Sequence, residues 1–484
     1  MRWLCIHLPL LPLEVFSRGL DRSPPLVIQE GVGRVARVLA CDAAAAAAGI
    51  QPGMTAGAVH ALCDRVRVQG RDRRLERQAL ERLAAWAGQF TSTLSLEPPA
   101  GLLLEVEGSE RLFGGLASLV ERVRQGVAAL GYTARLAVAP TPLAALWLAR
   151  AGRECLVRQP GRLVRALAGI PVEQIEPDPG ARARLHGLGV HRLGDCLRLP
   201  TEGLARRFGP DFCRRLDRAL GRVPDPRLRY RPPLHFLSRL QLPVAVEAAP
   251  ALAFAVQRQL GELTGMLRAR DAAVQRLELR LCHASGRATA IQLGMVAPCR
   301  DGQHLLGLVR VQLERLVLPE PVVALELESR RLQPAAPDTR PLFPLAPGRD
   351  TGGGPLLDRL QARLGRGRIQ GLRWHADHRP ERAHVAEDFP PPATRPPAAA
   401  CLRRDRPCWL LVRPRRLVQR PAGPELPGRG PLRLLSAPER IETGWWDGAD
   451  VRRDYYLGED RAGRRYWVYR ALDDGAWYLH GLFD

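Results

Sequence analysis

Apolar residues show two patterns of spacing along the first part of the chain. Short apolar runs at residues 4–8, 102–106 and 134–138 predict β-strands, because their length and aliphatic content are typical of strands. Residues 73–88 and 116–130 repeat apolar side chains at every third or fourth position, which predicts amphipathic helices. The mixture predicts an α+β domain.

A helical stretch at about residues 180–220 contains glycines between two short segments. The residues that define this hairpin are Gly187, Leu188, Gly189 and Gly194. Glycines let backbone N–H groups approach a phosphate closely, and a following helix N-terminus favours an anion. We therefore predict a helix-hairpin-helix that binds DNA, although a glycine-capped helical turn would show the same pattern.

The residue pattern and composition change twice in the later part of the chain. Residues 236–332 predict a strand, a long helix, paired strands, a helix and a strand, which indicates a second small α+β domain. Stretches rich in proline and glycine at 334–355 and 389–400 predict linkers. Beyond Leu402 lie five of the nine tryptophans and five of the seven tyrosines, in short runs that predict a small β-rich module.

The basic residues and the net charge of the chain limit its possible mechanisms and partners. The 72 basic residues are all arginines and outnumber the 50 acidic residues, which gives a formal charge of +22. The lack of lysine excludes a lysine Schiff base or a P-loop lysine, and codon bias is a sufficient reason for it. The charge surplus favours a polyanionic partner, most often nucleic acid.

Cysteine usage and hydropathy indicate the compartment. The ten cysteines show no C-x-x-C or zinc-type spacing, so we expect buried free thiols in a reducing cytoplasm. Residues 3–9 could pass for the apolar region of a signal peptide, but they contain His7 and no A-x-A site follows. No apolar run approaches the ~20 residues of a membrane span, so we expect no membrane association.

Four features in order resemble the Y-family translesion DNA polymerases. Residues 42–54 resemble the fingers motif S-Y-E-A-R-x-x-G-[VI]-x-x-G-M, and residues 104–114 resemble the end of the palm motif. Residues 137–142 match part of G-[IV]-[AS]-x-N-K, and the helix-hairpin-helix stands where the family's thumb carries one. The resemblance covers about the first 335 residues and implies a right-hand architecture of palm, fingers, thumb and little finger.

The positions that perform catalysis in that family differ in this chain. Nucleotidyl transfer needs carboxylates that hold two divalent cations. The family places one at the end of the first strand and an Asp-Glu pair in the palm motif. These positions are His7 or Leu8, depending on the register, and Ala100 and Gly101. These departures from the family's pattern predict that the chain has no catalytic residue, no metal site and no cofactor.

The nucleotide contacts of the family are missing as well. Its triphosphate-binding Tyr and Arg correspond to Ala43 and Ala46, which lie in a run of six alanines. Its two lysines in the third motif correspond to Pro142 and Leu146. The concerted loss of polar groups indicates a pseudo-polymerase rather than an enzyme.

An active Y-family translesion polymerase, whose catalytic acids align elsewhere, is the alternative. Glu105 and Glu107 are two residues apart in a predicted strand, so they could share a face and rebuild a metal pair. A solvated strand face is the favoured interpretation, because Glu105 corresponds to a family position that is not a metal ligand.

The aromatic tail resembles the C-terminal domain of a catalytically inactive subgroup of the family. Its aromatic residues that we expect to bind partners are Trp445, Trp446, Tyr455, Tyr456 and Trp477. The resemblance implies a bacterial, nucleoid-associated scaffold for damage-induced mutagenesis and translesion synthesis. Its implied partners are DNA, the sliding clamp, a RecA-like accessory protein and an error-prone replicative-type polymerase of the C family. A small aromatic core that serves only its own module is the alternative.

A weak match to the clamp-binding pattern Q-x-x-L-F lies in the first linker. Leu342 and Phe343 supply the apolar pair, while Thr339 stands in place of Gln. The two side chains could fill a pocket on the clamp or could dock on their own domain.

These observations predict five regions. They are palm and fingers at 1–166, a thumb at 167–230, a little finger at 231–333, a linker at 334–356, and a C-terminal region at 357–484 whose β-rich module begins near residue 403.

Overall fold

The computed structural model forms two compact units, Met1–Arg363 and Leu364–Asp484. It describes residues 1–19, 24–31, 33–176, 178–335, 353–365, 368–388, 406–421 and 423–483, without the side chains of Arg34 and Trp374. Helices and strands mix in the first unit, and strands dominate the second, so the predicted multidomain α+β class is confirmed. None of the helices in these ranges has both the length and the apolarity of a membrane span.

The predicted elements of the first 150 residues are all present, with ends shifted by at most one residue. The strands of the first unit are β1 (Trp3–His7), β2 (Leu26–Glu30), β3 (Arg37–Cys41), β4 (Arg67–Gly70), β5 (Leu94–Glu97), β6 (Gly101–Glu105), β7 (Arg135–Ala139), β8 (Phe236–Val246), β9 (Ala272–His283), β10 (Ala288–Cys299), β11 (Val322–Ser329) and β12 (Gln333–Pro334). The helices of the chain are α1 (Leu11–Ser17), α2 (Ala43–Ala47), α3 (Ala56–Leu62), α4 (Arg73–Ala87), α5 (Leu116–Ala129), α6 (Pro142–Arg150), α7 (Leu163–Ala168), α8 (Val172–Ile175), α9 (Pro179–Gly187), α10 (Leu193–Cys196), α11 (Thr201–Phe208), α12 (Pro210–Ala219), α13 (Ala253–Ala269), α14 (Gly302–Leu313) and α15 (Gly353–Leu364).

The first sheet is antiparallel, with four strands in the order β5-β6-β1-β7. Alternate residues of β1 point to opposite faces. Leu4 and Ile6 join a core with α1, α4 and α5, while Trp3 and Cys5 join a core with α6. Because helices cover both faces, β1 is apolar at four successive positions.

Two smaller assemblies flank this sheet. A second sheet in the order β3-β2-β4 packs on α2 and α3 around Val27, Ala45 and Val59. Helices α7 to α12 pack in the same core as α6. The turn between α9 and α10 passes through Gly189, whose φ of +73° favours glycine. Two helices joined by a glycine turn therefore stand at the predicted place, although α10 is a single turn of four residues.

The third sheet has the order β10-β9-β11-β8, with β12 paired to β9. Helices α13 and α14 contribute to its apolar core. The predicted order of strand, long helix, paired strands, helix and strand is confirmed.

The predicted linker at 334–356 is wrong at its end, because α15 begins at Gly353. Asp358 of α15 accepts a hydrogen bond from the backbone N–H of Val296 at 2.7 Å and lies 2.8 Å from His304. These contacts dock the helix on the third sheet's domain. Leu342 and Phe343 lie outside the described residues.

The second unit is built from short strands. They are β13 (Gln370–Trp374), β14 (His384–Asp388), β15 (Trp409–Arg416), β16 (Val418–Arg420), β17 (Gly423–Leu426), β18 (Gly430–Pro431), β19 (Arg433–Leu434), β20 (Glu439–Thr443), β21 (Val451–Glu459), β22 (Arg465–Ala471) and β23 (Trp477–Leu482). The largest sheet has six strands in the order β15-β23-β22-β21-β19, with β20 paired to β21. Aromatic side chains of this sheet form much of the core, and the sequence beyond Leu402 predicts such a β-rich aromatic module.

Nine of the ten cysteines lie among the described residues, and all nine are free. Cys5, Cys196 and Cys213 are buried. Cys408 is exposed because it directly precedes the edge strand β15, so the expectation of buried thiols is wrong at this position.

Candidate functional site

One row of residues crosses all four strands of the first sheet at the end of β1. Strand pairing sets Glu97 opposite Gly101, Gly101 opposite His7, and His7 opposite Arg135. Residues directly opposite each other on antiparallel strands present their side chains to the same face. The row therefore joins His7 and Gly101, two positions where the resembling family has carboxylates.

The register decides between the two candidate positions at the end of β1, His7 and Leu8. His7 belongs to the row, whereas Leu8 is fully buried in the core on the opposite face of the sheet. The backbone N–H of Leu8 donates to the carbonyl oxygen of Ala100 at 2.8 Å. His7, Ala100 and Gly101 thus meet at one place, as the resemblance implies.

Gly101 occupies a position with little space for a side chain. An added Cβ would lie 3.0 Å from the backbone oxygen of Glu97 and 3.3 Å from the Cδ1 atom of Leu146. Leu146 is buried on α6, at one of the two positions where the family has lysine. Backbone and apolar atoms therefore fill the space beside the row.

The imidazole of His7 is neutral at physiological pH. Burial, together with the positive charges of Arg150 and Arg135, lowers the pKa of His7 to about 4. Its Nδ1 atom is buried and has no hydrogen-bond partner among the described residues. Surroundings that disfavour protonation of His7 disfavour a divalent cation for the same electrostatic reason.

Glu97 is the single carboxylate of the row, and an arginine binds it. One guanidinium nitrogen of Arg227 lies 3.1 and 3.0 Å from the two oxygens of Glu97, and another lies 2.7 Å from Asp225. Asp225 also accepts the backbone N–H of Leu143 at 3.1 Å. The guanidinium thus stands between two carboxylates, where a metal ion would otherwise be attracted.

The donor set does not fit the two divalent cations that the family resemblance implies. Throughout the described ranges, no group of three or more His, Cys, Asp or Glu side chains is placed to hold a metal. Arg227 engages both Glu97, which lies in the row, and Asp225.

Glu105 and Glu107 lie at the other end of β6 and do not form a pair on one strand face. Strand β6 ends at Glu105, which is paired with Trp3, and Glu107 begins a 3-10 helix. The carboxylate of Glu107 lies 2.8 Å from the amino group of Met1. The expected alternation is wrong here because the strand stops before Glu107.

Ala43 and Ala46 lie on the exposed side of α2, opposite the buried Ala45. The helix begins here because the Asp42 carboxylate accepts the backbone N–H of Ala45 at 2.8 Å. The side chains on this exposed side are methyl groups, so neither alanine has a side chain that can donate a hydrogen bond to a phosphate.

Pro142 is the first residue of α6 and serves to start that helix. The hydroxyl oxygen of Thr141 accepts a hydrogen bond from the backbone N–H of Ala144 at 3.3 Å, and its O–H group donates to the carbonyl oxygen of Ala219 at 2.8 Å. Proline suits the first helical position because its missing N–H is not needed there. Thr141 and Pro142, which stand where the family has Asn-Lys, thus serve to begin α6.

Gly187, Leu188 and Gly189 are exposed at the hairpin between α9 and α10. The backbone N–H groups of Leu188, Gly189 and Val190 donate to carbonyls of α9 at 3.0, 2.9 and 3.0 Å. These donors close the helix end. They are therefore less available to a phosphate than the sequence pattern suggests.

The backbone N–H groups at the start of α10 also have a hydrogen-bond acceptor within the chain. The backbone N–H groups of His191 and Arg192 donate to the Asp195 carboxylate at 3.2 and 2.9 Å. Gly194 faces α7, where an added Cβ would lie 3.0 Å from the carbonyl oxygen of Ala168. A phosphate bound here would have to displace Asp195, and Gly194 serves helix packing.

Trp445 and Trp446 form an exposed aromatic pair in the second unit. They are 80% and 56% exposed, and their rings lie 5.7 Å apart in an edge-to-face arrangement. Beneath the loop, the buried Arg379 forms ion pairs of 2.6 Å with Asp377 and 2.7 Å with Asp447. The pair therefore stands on a loop that is anchored by a charge network.

The other three aromatic candidates pack inside the second unit. Tyr455 and Trp477 are buried, and Tyr456 packs on Trp477 with ring centroids 5.1 Å apart. The expectation that these residues form an exposed partner surface is wrong for Tyr455 and Trp477, because their strands turn these side chains into the aromatic core.

Sequence reasoning missed Arg135, Arg150 and Arg227, three of the 72 basic residues. The local pattern held one signal, since Arg150 ends the helix that follows the third family motif. Nothing local marked Arg227 as the partner of Glu97.

The family comparisons agree with the class that the fold indicates. The IMS family, described as impB/mucB/samB, matches residues 13–150. Over 466 residues the chain is 32% identical to Protein ImuB of Caulobacter vibrioides strain NA1000 / CB15N, covering 90% of this chain and 100% of that protein. Protein ImuB of strain ATCC 19089 / CIP 103742 / CB 15 matches with the same figures. The chain belongs to the ImuB family.

Similar solved structures include Dbh DNA polymerase and DinB. The insertion ternary complex of Dbh DNA polymerase shares 14% identity with a TM-score of 0.39, covering 69% of this chain and 99% of that chain. DinB from Sulfolobus solfataricus shares 14% identity with a TM-score of 0.37, covering 69% of this chain and 100% of that chain. The family assignment rests on the match to the ImuB proteins.

Proposed function

We propose that this chain is a non-catalytic, polymerase-like scaffold in DNA-damage-induced mutagenesis and translesion synthesis. The composition of the row across the first sheet carries the proposal. The row contains one carboxylate, Glu97, and that carboxylate is bound by Arg227. Two-metal nucleotidyl transfer needs several free carboxylates at one place. Such a chain holds DNA without joining nucleotides.

DNA binding in this proposal depends on charge. A net charge of +22 attracts a polyanion, and guanidinium groups suit phosphate oxygens. Contacts of this kind position the protein on the backbone without sequence readout. Residues 1–166 would act as palm and fingers, 167–230 as thumb and 231–333 as little finger, followed by the linker at 334–356 and the C-terminal region at 357–484.

The scaffold would bridge three proteins on DNA in the bacterial nucleoid. These are the sliding clamp, an ImuA-type RecA-like accessory protein and an error-prone C-family polymerase. Leu342 and Phe343 would contact the clamp. Trp445 and Trp446 would contact a protein partner, because exposed aromatic side chains on a fixed loop are favoured interface anchors.

A primer-extension assay with the purified full-length chain tests the lack of catalysis. With Mg²⁺ or Mn²⁺ and all four deoxynucleotides we expect no extension, while fluorescence anisotropy with the same primer–template detects binding. An active Y-family polymerase in parallel reactions is the positive control.

Extension by the chain would overturn the proposal and favour the alternative, an active Y-family polymerase. The double variant Glu97→Ala, Asp225→Ala distinguishes that outcome from a contaminant. Both carboxylates meet at Arg227 beside the row, so genuine activity based on them would disappear.

A further inference from the structure

A cavity of about 760 Å³ lies on the α4 side of the first sheet, opposite the face that carries the row. Three separate segments supply its apolar walls, which are Leu80 of α4, Leu96 of β5 with the following Pro98 and Pro99, and Leu228. Cavities of about 300–1,000 Å³ are typical of ligand-binding sites. The space is therefore large enough to receive several side chains of a ligand.

Leu228 is an apolar side chain that is fixed in an exposed position at the edge of this cavity. It is 91% exposed. On one side of it, the guanidinium of Arg227 lies 3.0 Å from the Glu97 carboxylate. On the other side, the backbone N–H of Tyr230 donates to the carbonyl of Leu94 at 2.8 Å, and its hydroxyl donates to a backbone carbonyl of α4 at 3.2 Å. These anchors pre-organise Leu228 for an external apolar contact.

The charged side chains that line the cavity are mainly positive. They are one glutamate, Glu76, and four arginines, Arg71, Arg73, Arg77 and Arg229. Arg71 binds both oxygens of Glu76, at 2.7 and 2.8 Å. Arg73 and Arg77 are each 77% exposed, so their ion pairs with glutamates contribute little and can be exchanged for a ligand. The guanidinium of Arg229 has no hydrogen-bond or ion-pair partner among the described residues.

We propose that this cavity is a docking site for an acidic peptide segment of a partner protein that also carries apolar side chains. The apolar side chains fill the cavity and cover Leu228, while the carboxylates bind the arginines around it. Apolar walls beside exposed guanidinium groups are complementary to this chemistry, because arginine and desolvated apolar side chains are the usual anchors of an interface. That the segment belongs to a partner protein rests on the proposed scaffold function.

Two features favour a peptide over other anions. A DNA backbone would satisfy the arginines, but it carries no apolar side chain for the walls at Leu80 and Leu96. A small molecule enclosed by the cavity would leave Leu228 exposed, whereas a peptide extends beyond the cavity and covers it.

Fluorescence anisotropy with the full-length chain at about 150 mM salt tests the site, because this ionic strength screens non-specific attraction to a basic protein. The probe is a labelled peptide of three Glu-Leu-Leu-Glu repeats. A peptide of three Glu-Ala-Ala-Glu repeats keeps the charge without the apolar side chains, and one of three Lys-Leu-Leu-Lys repeats reverses the charge. A labelled DNA duplex tests the other class of partner.

The variants come in matched pairs from one segment of the chain. Leu228→Ser is compared with Leu234→Ser, because Leu234 is 80% exposed and lies outside the cavity wall. Arg229→Gln is compared with Arg231→Gln, since both arginines are exposed and Arg231 does not line the cavity.

We expect the leucine-containing acidic peptide to bind at least about 10-fold more tightly than either comparison peptide. Leu228→Ser should weaken its binding by about 10-fold or more, as loss of one buried leucine contact implies. Arg229→Gln should weaken it by about three-fold or more through loss of a charge-assisted contact. Leu234→Ser and Arg231→Gln are expected to change it by less than about two-fold.

Equal affinity for the leucine and alanine peptides, or equal weakening by the members of a matched pair, would overturn the site. A stronger effect of Leu228→Ser on the DNA duplex than on the peptide would also overturn it, since the cavity would then serve nucleic acid.

Thermal unfolding provides the check on folding. Leu228→Ser should keep the Tm of the wild-type chain, because the side chain that it removes is exposed. A lower Tm would mean that Leu228 packs within the free protein, which contradicts a vacant docking surface. Primer extension decides the lack of catalysis separately, because the cavity lies on the opposite face of the sheet from the row.

Discussion

Each residue of the row across the first sheet opposes metal binding in a different way. Gly101 has no side chain, His7 is neutral, Arg135 is positive and the carboxylate of Glu97 is bound by Arg227. Reversal of one substitution leaves the other obstacles in place. Under the proposed non-catalytic function, the obstacles to metal binding are therefore distributed over several residues.

Gly101→Glu is expected to destabilise the chain rather than restore a metal ligand. Its Cβ would lie 3.0 Å from a backbone oxygen, which cannot move as a flexible side chain can. Overpacking of this kind costs about 1–3 kcal/mol of unfolding free energy, which urea denaturation measures.

The matched control for this variant is Gly108→Glu. An added Cβ at Gly108 meets no atom within 4 Å, so we expect a change of less than about 0.5 kcal/mol. Equal stability of the two variants would contradict the crowding at Gly101.

At the scale of elements, a buried ion pair joins α13 to the helices beneath the first sheet. Arg18, which follows α1, lies 2.6 Å from Glu262 of α13, and each side chain is 1% exposed. Arg82 of α4 lies 3.3 Å from the same carboxylate, and Ser238 of β8 donates to it at 2.7 Å. The third sheet's domain is therefore tied to the first sheet by contacts that are costly to break.

Glu262→Gln is expected to lower the free energy of unfolding by about 3–5 kcal/mol, because it leaves two arginines without their buried partner. The control Glu326→Gln removes a surface pair with Arg280 and should cost less than about 1 kcal/mol. Similar losses in the two variants would contradict a special role of the buried pair.

The same pair predicts a pH dependence. Burial opposes ionisation of Glu262, but Arg18, Arg82 and Ser238 outweigh it, so the pKa of this carboxyl lies below its ordinary value. Its contribution to stability is complete above the ordinary glutamate pKa of about 4.3 and is lost as the pH falls through the lower, folded-state pKa. The stability difference between wild type and Glu262→Gln should therefore shrink in acid.

At the scale of the whole molecule, the two units have separate cores. The cores of the second unit consist of residues from Leu410 onward, with the rings of Tyr455 and Trp467 stacked at a centroid distance of 4.1 Å. Trp445 and Trp446 belong to neither core and remain exposed. The unit can thus fold around one set of aromatic side chains and present another set to a partner.

The double variant Trp445→Ala, Trp446→Ala is expected to keep the Tm of the chain and to weaken capture of an error-prone C-family polymerase. Loss of two aromatic anchors implies a decrease in affinity of about 30-fold or more, measured by surface plasmon resonance. Trp409→Ala is the control, since Trp409 is 68% exposed on the edge strand β15. Equal losses in both variants would contradict a specific role of the pair.

The sequence by itself determined the elements and the missing ligands. Apolar periodicity is local, so it located β1, β6 and α4 to within one residue. The lack of carboxylates at His7, Ala100 and Gly101 is a property of the residue types alone.

Only the tertiary structure decided which charged groups meet and which aromatic residues are exposed. The pairing of β5, β6, β1 and β7 brings Glu97, His7 and Arg135 into one row, and the chain after α12 delivers Arg227 to Glu97. Tyr455 and Trp446 look equally suitable as anchors in the sequence, yet one is buried and the other exposed. The physical reason is that contacts between distant segments depend on burial across the whole fold, which no local pattern contains.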